Sequence, residues 1–229
     1  MAKSTSILPA IASCLDSGAA PITFASPNLL ELSHLYRAAR SEPHDLMSHP
    51  TWWSSIDSFS LGSAYRTDLE RLAKRRVCDK DTSKGTLAFL LDEGVAQMAV
   101  NLLPFFQHLI IKCGERGVLT AMHIARRSAW SNEHSNIFGR YIVAQAGAGS
   151  IVLQHFPAHP VHDIINVTGA GDSFVGALLA FIIHQPDTFS NPRLLAKAIA
   201  ASQQAAKLTL QSHLAVSPTI SYHNIIENR

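Results

Sequence analysis

The apolar positions of this chain change their period several times, which predicts strands that alternate with helices. Short apolar runs predict strands at residues 22–24, 108–112, 117–123, 141–145 and 150–156. Apolar residues at helical spacing predict helices at residues 69–76, 87–103 and 192–210, and directly after Gly171. This order is typical of a layered α/β sheet that binds its ligand at the carboxyl ends of the strands.

Several segments between these elements lack a regular pattern. Residues 41–63 combine prolines, serines and two adjacent tryptophans, which predicts an irregular excursion, and residues 128–139 predict a polar loop. Residues 145–150 contain a Gly-Ala-Gly run without an amphipathic helix after it, so they predict a hairpin turn. Pro27 and Asn28 predict a break and a helix start, which places Glu31 in the first helical turn.

Composition narrows the class of protein. The chain has 229 residues, of which 47% are hydrophobic and 16% charged, and this predicts one globular domain over residues 1–229. A net charge of +2, without a basic run longer than residues 74–76, argues against nucleic acid as a partner. Three widely spaced cysteines predict reduced thiols inside the cell. We expect no membrane span and no secretory signal, and therefore a cytoplasmic protein.

The run Asn166-Val167-Thr168-Gly169-Ala170-Gly171-Asp172-Ser173-Phe174 carries the strongest chemical signal. Its glycines let the backbone turn tightly, and an apolar stretch after them predicts a helix whose first amides point outward. Such a loop can hold a phosphate group. A carboxylate at Asp172 would repel that phosphate unless its task is to take a proton from an attacking hydroxyl. The loop therefore indicates phosphoryl transfer to an alcohol.

Two earlier segments agree with this interpretation, namely Pro27-Asn28-Leu29-Leu30-Glu31 and Ile110-Ile111-Lys112-Cys113-Gly114-Glu115-Arg116-Gly117-Val118. With the glycine loop they resemble, in the same order, three motifs of the ribokinase-like (PfkB) carbohydrate and nucleoside kinases. Those motifs are Asn-x-x-Glu, Thr-Leu-Gly-x-x-Gly and Asp/Asn-x-Thr-Gly-Ala-Gly-Asp. Residues 24–28 and 205–218 are further similar to the pseudouridine kinases of this family, including the branch fused to a pseudouridine-5'-phosphate glycosidase.

The resemblance implies an ATP-dependent kinase that phosphorylates a hydroxyl of a sugar or nucleoside, with pseudouridine as the closest match. It implies that Asp172 is the general base and that backbone amides form an anion hole at Gly169, Ala170 and Gly171. It implies that Glu31 and Asn28 organise Mg²⁺. The nucleotide contacts that it implies are at Asn28, Lys112, Gly114, Gly117 and Gly171.

Two positions depart from the family pattern. Many relatives carry an aspartate near a monovalent cation site where this chain has Asn166, which keeps a carbonyl acceptor but loses the charge. A K⁺ site beside Asn166 and Thr168, and dependence on K⁺, therefore stay open. Lys112 replaces a common threonine, and its ammonium could meet a phosphate or point to solvent. The sequence leaves both alternatives open.

The fold implied by the resemblance is a three-layer α/β/α ribokinase-like sheet. Relatives place a half-domain with a Gly-Gly motif, a substrate-binding aspartate and a β-sheet lid before the Asn-x-x-Glu element. Residues 1–229 therefore resemble the C-terminal portion of such a kinase, with the N-terminal part and lid missing. A partner chain or second copy could supply that half-domain. The alternative is a catalytically incomplete nucleotide-binding fragment or subunit.

Two other features have ordinary interpretations. His155, His159 and His162 flank prolines in a predicted loop and lack supporting cysteines or carboxylates, so we do not interpret them as metal ligands. Cys113 has no neighbouring residue that suggests thiolate activation, so we expect a packed thiol.

Overall fold

The computed structural model describes residues 3–125, 129–131, 140–221 and 224–225. The chain divides into two compact units. The first contains residues 1–127 and 133–155, and the second contains residues 128–132 and 156–229. The single domain predicted from composition stays a prediction, since compact units of this kind occur within one domain as well as between domains.

The first unit contains a five-stranded mixed sheet and six α-helices among its described residues. Its helices are α1 (Leu8–Ser17), α2 (Leu29–Ala39), α3 (Pro50–Phe59), α4 (Ser63–Ala73), α5 (Phe89–Asp92) and α6 (Val95–Leu102). Its strands are β1 (Ile22–Ala25), β2 (Phe106–Lys112), β3 (Val118–Ala125), β4 (Tyr141–Ala146) and β5 (Gly149–Phe156). The strand order is β1-β2-β3-β5-β4, and β1 is an edge strand.

The sheet register aligns the ends of β1 and β2. These strands are parallel, with Phe24 opposite His108, whereas β2 and β3 are antiparallel, with Ile110 opposite Thr120. Alternate residues of the strands enter the hydrophobic core of this unit, including Leu109, Ile111, Leu119, Ala121 and Leu153. The parallel pair therefore brings the segment after β1 beside the last residue of β2.

The second unit contains α7 (Ala170–His184) and α8 (Pro192–Leu210), which pack against each other. Leu178 in α7 and Leu195 and Ile199 in α8 are fully buried. Asn191 caps α8 by accepting hydrogen bonds from the amides of residues 193 and 194, and Pro192 occupies the first helical position. These signals explain why the predicted bounds of α8 are confirmed.

Most predicted strands and helices are confirmed, with shifts of a few residues at their ends. The helix predicted at residues 87–103 is wrong as one element, because Gly94 adopts a left-handed φ of +66° that separates α5 from α6. The excursion predicted at residues 41–63 is wrong in part, because α3 forms within it. There, the His49 side chain accepts a hydrogen bond from the Thr51 amide, and Pro50 begins the helix.

Other predictions concern turns and loops. The hairpin turn at residues 145–150 is confirmed, since it joins β4 to β5. Of the polar loop predicted at residues 128–139, only residues 129–131 are described, and they form one short helical turn. In the described part of the chain, no helix has the length and apolar character that crossing a membrane requires.

Candidate active site

The first group of predicted site residues lies where β1 leads into α2. Asn28 is the N-cap of α2, and its Oδ1 accepts a hydrogen bond of 2.9 Å from the Glu31 amide. The Glu31 carboxylate in turn accepts a hydrogen bond of 2.8 Å from the Asn28 amide. This reciprocal capping box holds both side chains at the helix N-terminus. The prediction that Glu31 lies in the first helical turn is confirmed.

Lys112 lies at the end of β2, beside this capping box. Its amide donates to the Pro27 carbonyl at 2.9 Å, and it forms a parallel β-bridge with Asn28. Its ammonium donates to the Ser26 carbonyl at 2.5 Å, and the Ser26 hydroxyl donates to the Ile110 carbonyl at 3.1 Å. The side chain is half-buried, so Lys112 does not simply extend into solvent. The structure therefore brings Asn28, Glu31 and Lys112 together.

The turn between β2 and β3, residues 114–117, follows directly. Gly114 has a φ of +61° and Gly117 a φ of +91°, conformations that side chains disfavour. The Cys113 amide donates to the Gly117 carbonyl at 2.8 Å, and the Gly117 amide donates to the Gly114 carbonyl at 3.0 Å. Both glycines are therefore required by the shape of this turn.

Side chains from other elements hold the same turn, and sequence reasoning missed them. The Arg116 guanidinium donates to the Glu93 carboxylate at 2.6 and 3.3 Å. The Cζ atom of this guanidinium lies 4.2 Å from the centre of the Phe89 ring. The His155 Nε2 atom lies 2.6 Å from the Arg116 carbonyl oxygen. His155 belongs to β5, in agreement with the strand predicted at residues 150–156, so the loop predicted around the three histidines does not include it.

Burial decides the chemical character of Cys113. Cys113 is buried, and burial raises the pKa of its thiol to about 12, so the thiol stays protonated at neutral pH. The expectation of a packed thiol at Cys113 is confirmed. Within the described residues, no group of three or more His, Cys, Asp or Glu side chains is placed to hold a metal ion.

The two predicted magnesium residues, Asn28 and Glu31, differ in what they offer a metal ion. Mg²⁺ prefers hard oxygen ligands, and it is commonly held by one or two carboxylates together with water and substrate phosphates. The Glu31 carboxylate offers such a ligand at a fixed place, because the Asn28 amide holds it by one hydrogen bond. Asn28 Oδ1 accepts the Glu31 amide, so the asparagine mainly orients the carboxylate. The residues fit a magnesium ion that is shared with bound phosphates.

The second group of predicted site residues lies in the second unit, in the loop that enters α7. The Asn166 side-chain oxygen accepts a hydrogen bond of 2.9 Å from the Thr168 amide, which folds the loop back on itself. The amides of Ile165 and Asn166 donate to the Leu210 carbonyl at 2.8 and 3.2 Å. The loop is therefore fastened to the end of α8.

Gly169 is the N-cap of α7 and has a φ of +79°. A Cβ atom at this position would lie 1.7 Å from the Ala215 carbonyl oxygen, so the backbone of residue 215 occupies the space of a side chain. Since a glycine has no side chain, it cannot cap the first amides of the helix. Helix α7 begins at Ala170, slightly before the predicted start after Gly171.

Asp172 lies in the first turn of α7 and is exposed to solvent. The next residue, Ser173, is buried, and its hydroxyl lies 2.7 Å from the Thr209 hydroxyl. Thr209 also accepts a hydrogen bond from the Ser217 amide at 3.3 Å. This buried network fixes the first turn of α7, while Asp172 on its outer side stays accessible.

An apolar groove of about 550 Å³ runs along α7 and α8 in the same unit. Gly176 and Ala180 line it, and their spacing places them on the same face of α7 as Asp172. Sequence reasoning missed this groove, because small residues on a helix give no chemical signal. Its apolar wall could receive a flat ring.

The structure thus gathers the predicted site residues into two groups. One contains Asn28, Glu31 and Lys112 with the following glycine turn, and the other contains residues 166–172. The two groups belong to different compact units.

Comparison with known proteins identifies the family. The pattern that defines the pfkB family of carbohydrate kinases matches residues 91–221, more than half of the chain. The pseudouridine-metabolizing bifunctional protein of Schizosaccharomyces pombe is 28% identical over 202 residues, which are 88% of this chain and 23% of that protein. The chain therefore spans about a quarter of the length of this relative.

Solved structures give weaker similarities. Ribokinase from Thermotoga maritima is 17% identical with a TM-score of 0.43, and the match covers 88% of this chain and 40% of that one. Phosphofructokinase-2 from Escherichia coli in complex with potassium is 13% identical with a TM-score of 0.46, over 95% and 43% of the two chains. Both scores are too low to support an argument, so the assignment depends on the family pattern.

The resemblance stated from the three motifs is confirmed by that pattern, which includes the second and third motifs. The mixed sheet with flanking helices agrees with it, so the predicted α/β/α ribokinase-like class is also confirmed. This chain belongs to the pfkB family of carbohydrate kinases.

Proposed function

We propose that this chain carries the phosphoryl-transfer machinery of an ATP-dependent kinase that acts on a hydroxyl of a sugar or nucleoside. The observation that carries the proposal is the loop at residues 166–172. Its left-handed glycine directs the chain into α7, and an exposed carboxylate at Asp172 lies in the first turn of that helix. An anion-binding helix start combined with a nearby base is what phosphoryl transfer to an alcohol requires.

In this proposal Asp172 accepts the proton of the attacking hydroxyl. The amides of Gly169, Ala170 and Gly171 donate hydrogen bonds to the oxygens of the transferred phosphoryl group, and the positive end of the α7 dipole adds to this stabilisation. Charge stabilisation and positioning supply most of the catalysis in reactions of this class. The buried hydrogen bond between Ser173 and Thr209 keeps this first turn rigid.

The nucleotide phosphates lie, in this proposal, along the turn at residues 114–117. Lys112 lies at the end of β2 and Glu31 in the first turn of α2, where the capping box orients the Glu31 carboxylate. When bound, magnesium supplies positive charge that neutralises the phosphates. A K⁺ site at Asn166 and Thr168 stays a prediction; the Asn166 oxygen accepts the Thr168 amide with one of its two lone pairs.

Pseudouridine is the substrate that we propose. The support is the similarity to the fission-yeast protein, whose name describes it as pseudouridine-metabolizing and bifunctional, over 88% of this chain. A partner chain or second copy that completes the substrate side, and a cytoplasmic location, are parts of the same proposal.

Calorimetric titration with a nonhydrolysable ATP analogue tests the nucleotide part. We expect binding that strengthens with Mg²⁺, and a Glu31→Gln variant that loses about tenfold of this magnesium-dependent affinity. Glutamine can accept the same hydrogen bond, so the variant keeps the capping box and its stability. Asn191→Ala is the matched control, because it removes the side-chain cap of α8, which has no role in the proposed site, and lowers the free energy of unfolding by about 1 kcal/mol. Equal magnesium dependence in Glu31→Gln and the unmodified chain would contradict the assignment of Glu31.

A further inference from the structure

A series of contacting polar side chains, Asp79, Arg140 and His155, leads from the surface of the first unit to the turn at residues 114–117. Arg140 is only 6% exposed, and its guanidinium donates to the Asp79 carboxylate at 2.7 Å. It also donates to the main-chain carbonyls of Arg76 and Val77, the latter at 3.1 Å. One of its nitrogens lies 3.5 Å from Nδ1 of His155. Arg140 is therefore held in place on several sides.

These contacts assign the protonation of His155, which is 1% exposed. The Arg116 carbonyl can only accept a hydrogen bond, so His155 carries a proton on Nε2 and donates it over 2.6 Å. The Arg140 guanidinium can only donate, so Nδ1 carries the lone pair. Burial lowers the pKa of His155 to about 4, which keeps this neutral form at pH 7.

Arg116 is consequently held both at its backbone and at its side chain. The Arg116 carbonyl is bound by His155, and the Arg116 guanidinium is bound by Glu93 and covers the Phe89 ring. The amides of Arg116 and Gly117 are bonded within the turn itself. Among the described residues, His155 is thus the side chain that ties the backbone of this turn to the sheet.

We propose that His155 is a positioning residue that holds the turn at residues 114–117 in the shape that receives nucleotide phosphates. This inference rests on the proposed function, and it adds a residue that none of the three sequence motifs contains. His155 acts through the Arg116 carbonyl and does not need to contact the nucleotide. Removing its donor would leave that carbonyl unbonded and the turn free to change its shape.

The test measures the affinity of the full chain for a nonhydrolysable ATP analogue with Mg²⁺. We expect His155→Leu to bind about tenfold more weakly, the loss that one buried hydrogen bond of ordinary strength would cause. His155→Gln should stay within about threefold of the unmodified chain, since its amide nitrogen can take the place of Nε2. Unchanged affinity in His155→Leu would overturn the inference.

Thr120→Val is the matched control. It removes another buried hydrogen bond of the same sheet, from the Thr120 hydroxyl to the Gln154 carbonyl at 3.3 Å, without touching the turn. We expect it to lower stability and to leave nucleotide affinity unchanged. An equal loss of affinity in Thr120→Val would show a general effect of destabilisation and would overturn the positioning role. If His155→Leu does not fold, His155→Asn replaces it, since its shorter amide does not reach the Nε2 position.

Amide hydrogen exchange without nucleotide separates this inference from the proposed function. Residues 114–117 should exchange faster in His155→Leu than in Thr120→Val, because only the first variant releases the turn. If the unmodified chain binds no nucleotide, the proposed function and the nucleotide role of His155 fall together. In that case faster exchange would still show that His155 holds the turn, whereas equal exchange would overturn that as well.

Discussion

Replacing Gly169 by alanine tests whether the phosphate-binding loop depends on its glycine for shape. The residue has a φ of +79°, and a left-handed backbone costs a residue with a side chain about 1–2 kcal/mol. The new Cβ atom would also lie 1.7 Å from the Ala215 carbonyl oxygen, far inside contact distance. Backbone must shift to relieve this overlap, and overpacking of this kind typically costs about 1–3 kcal/mol more.

We therefore expect Gly169→Ala to lower the free energy of unfolding by roughly 2–5 kcal/mol, measured by urea denaturation followed by circular dichroism. Gly176→Ala is the matched control in the same helix. A Cβ atom there has no heavy atom within 4 Å among the neighbours that the structure describes. Alanine also favours the helix over glycine by about 0.5–1 kcal/mol, so this variant should be more stable than the unmodified chain.

Comparing the two variants separates the cost of the backbone conformation and the overlap at residue 169 from the effect of adding a methyl group to α7. A Gly169→Ala variant as stable as Gly176→Ala would refute the packing of residue 169 against residue 215. If Gly169→Ala loses stability as expected, the glycine of this motif is needed for folding in addition to any role in binding phosphate.

Three further predictions concern stability. Ser173→Ala should cost about 1–3 kcal/mol in urea denaturation, because it leaves the buried Thr209 hydroxyl with one partner fewer; an unchanged midpoint would contradict the network. Trp52→Phe should cost about 1 kcal/mol, because it removes the hydrogen bond that the indole donates to α6 over 2.9 Å, and a neutral effect would argue against the position of α3. Burial lowers the pKa of His108 and His155 to about 4. The unfolded chain therefore takes up protons first, and the free energy of unfolding should fall by about 3 kcal/mol per histidine between pH 6.5 and pH 4, whereas a flat pH profile would contradict this burial.

Local signals predicted those parts of the molecule that depend on neighbouring residues. Pro27 and Asn28 predicted the start of α2 with Glu31 in its first turn, and the structure adds a capping box between Asn28 and Glu31. Asn191 and Pro192 likewise fix the start of α8. The strand pattern and the glycine loop belong to the same class of short-range signal.

Contacts between distant residues could not be predicted in this way. His155 and Arg116 are 39 positions apart, and the strand pattern around His155 does not indicate which backbone group its side chain will contact. Ala215 excludes a side chain at Gly169, although nothing in either local sequence indicates the contact. Gly94 looked like one glycine within a helical pattern, and only its left-handed φ of +66° shows that the helix ends there.

The central claim is that Asp172 serves phosphoryl transfer to a hydroxyl, and pseudouridine-dependent formation of ADP by the full chain with Mg²⁺ tests it most directly. We expect turnover that requires pseudouridine, and a maximal rate in Asp172→Asn that is lower by about a hundredfold or more with nucleotide affinity retained. Nucleotide binding without turnover would identify the chain as a catalytically incomplete nucleotide-binding part. Turnover in Asp172→Asn equal to that of the unmodified chain would contradict the role of Asp172 as the base.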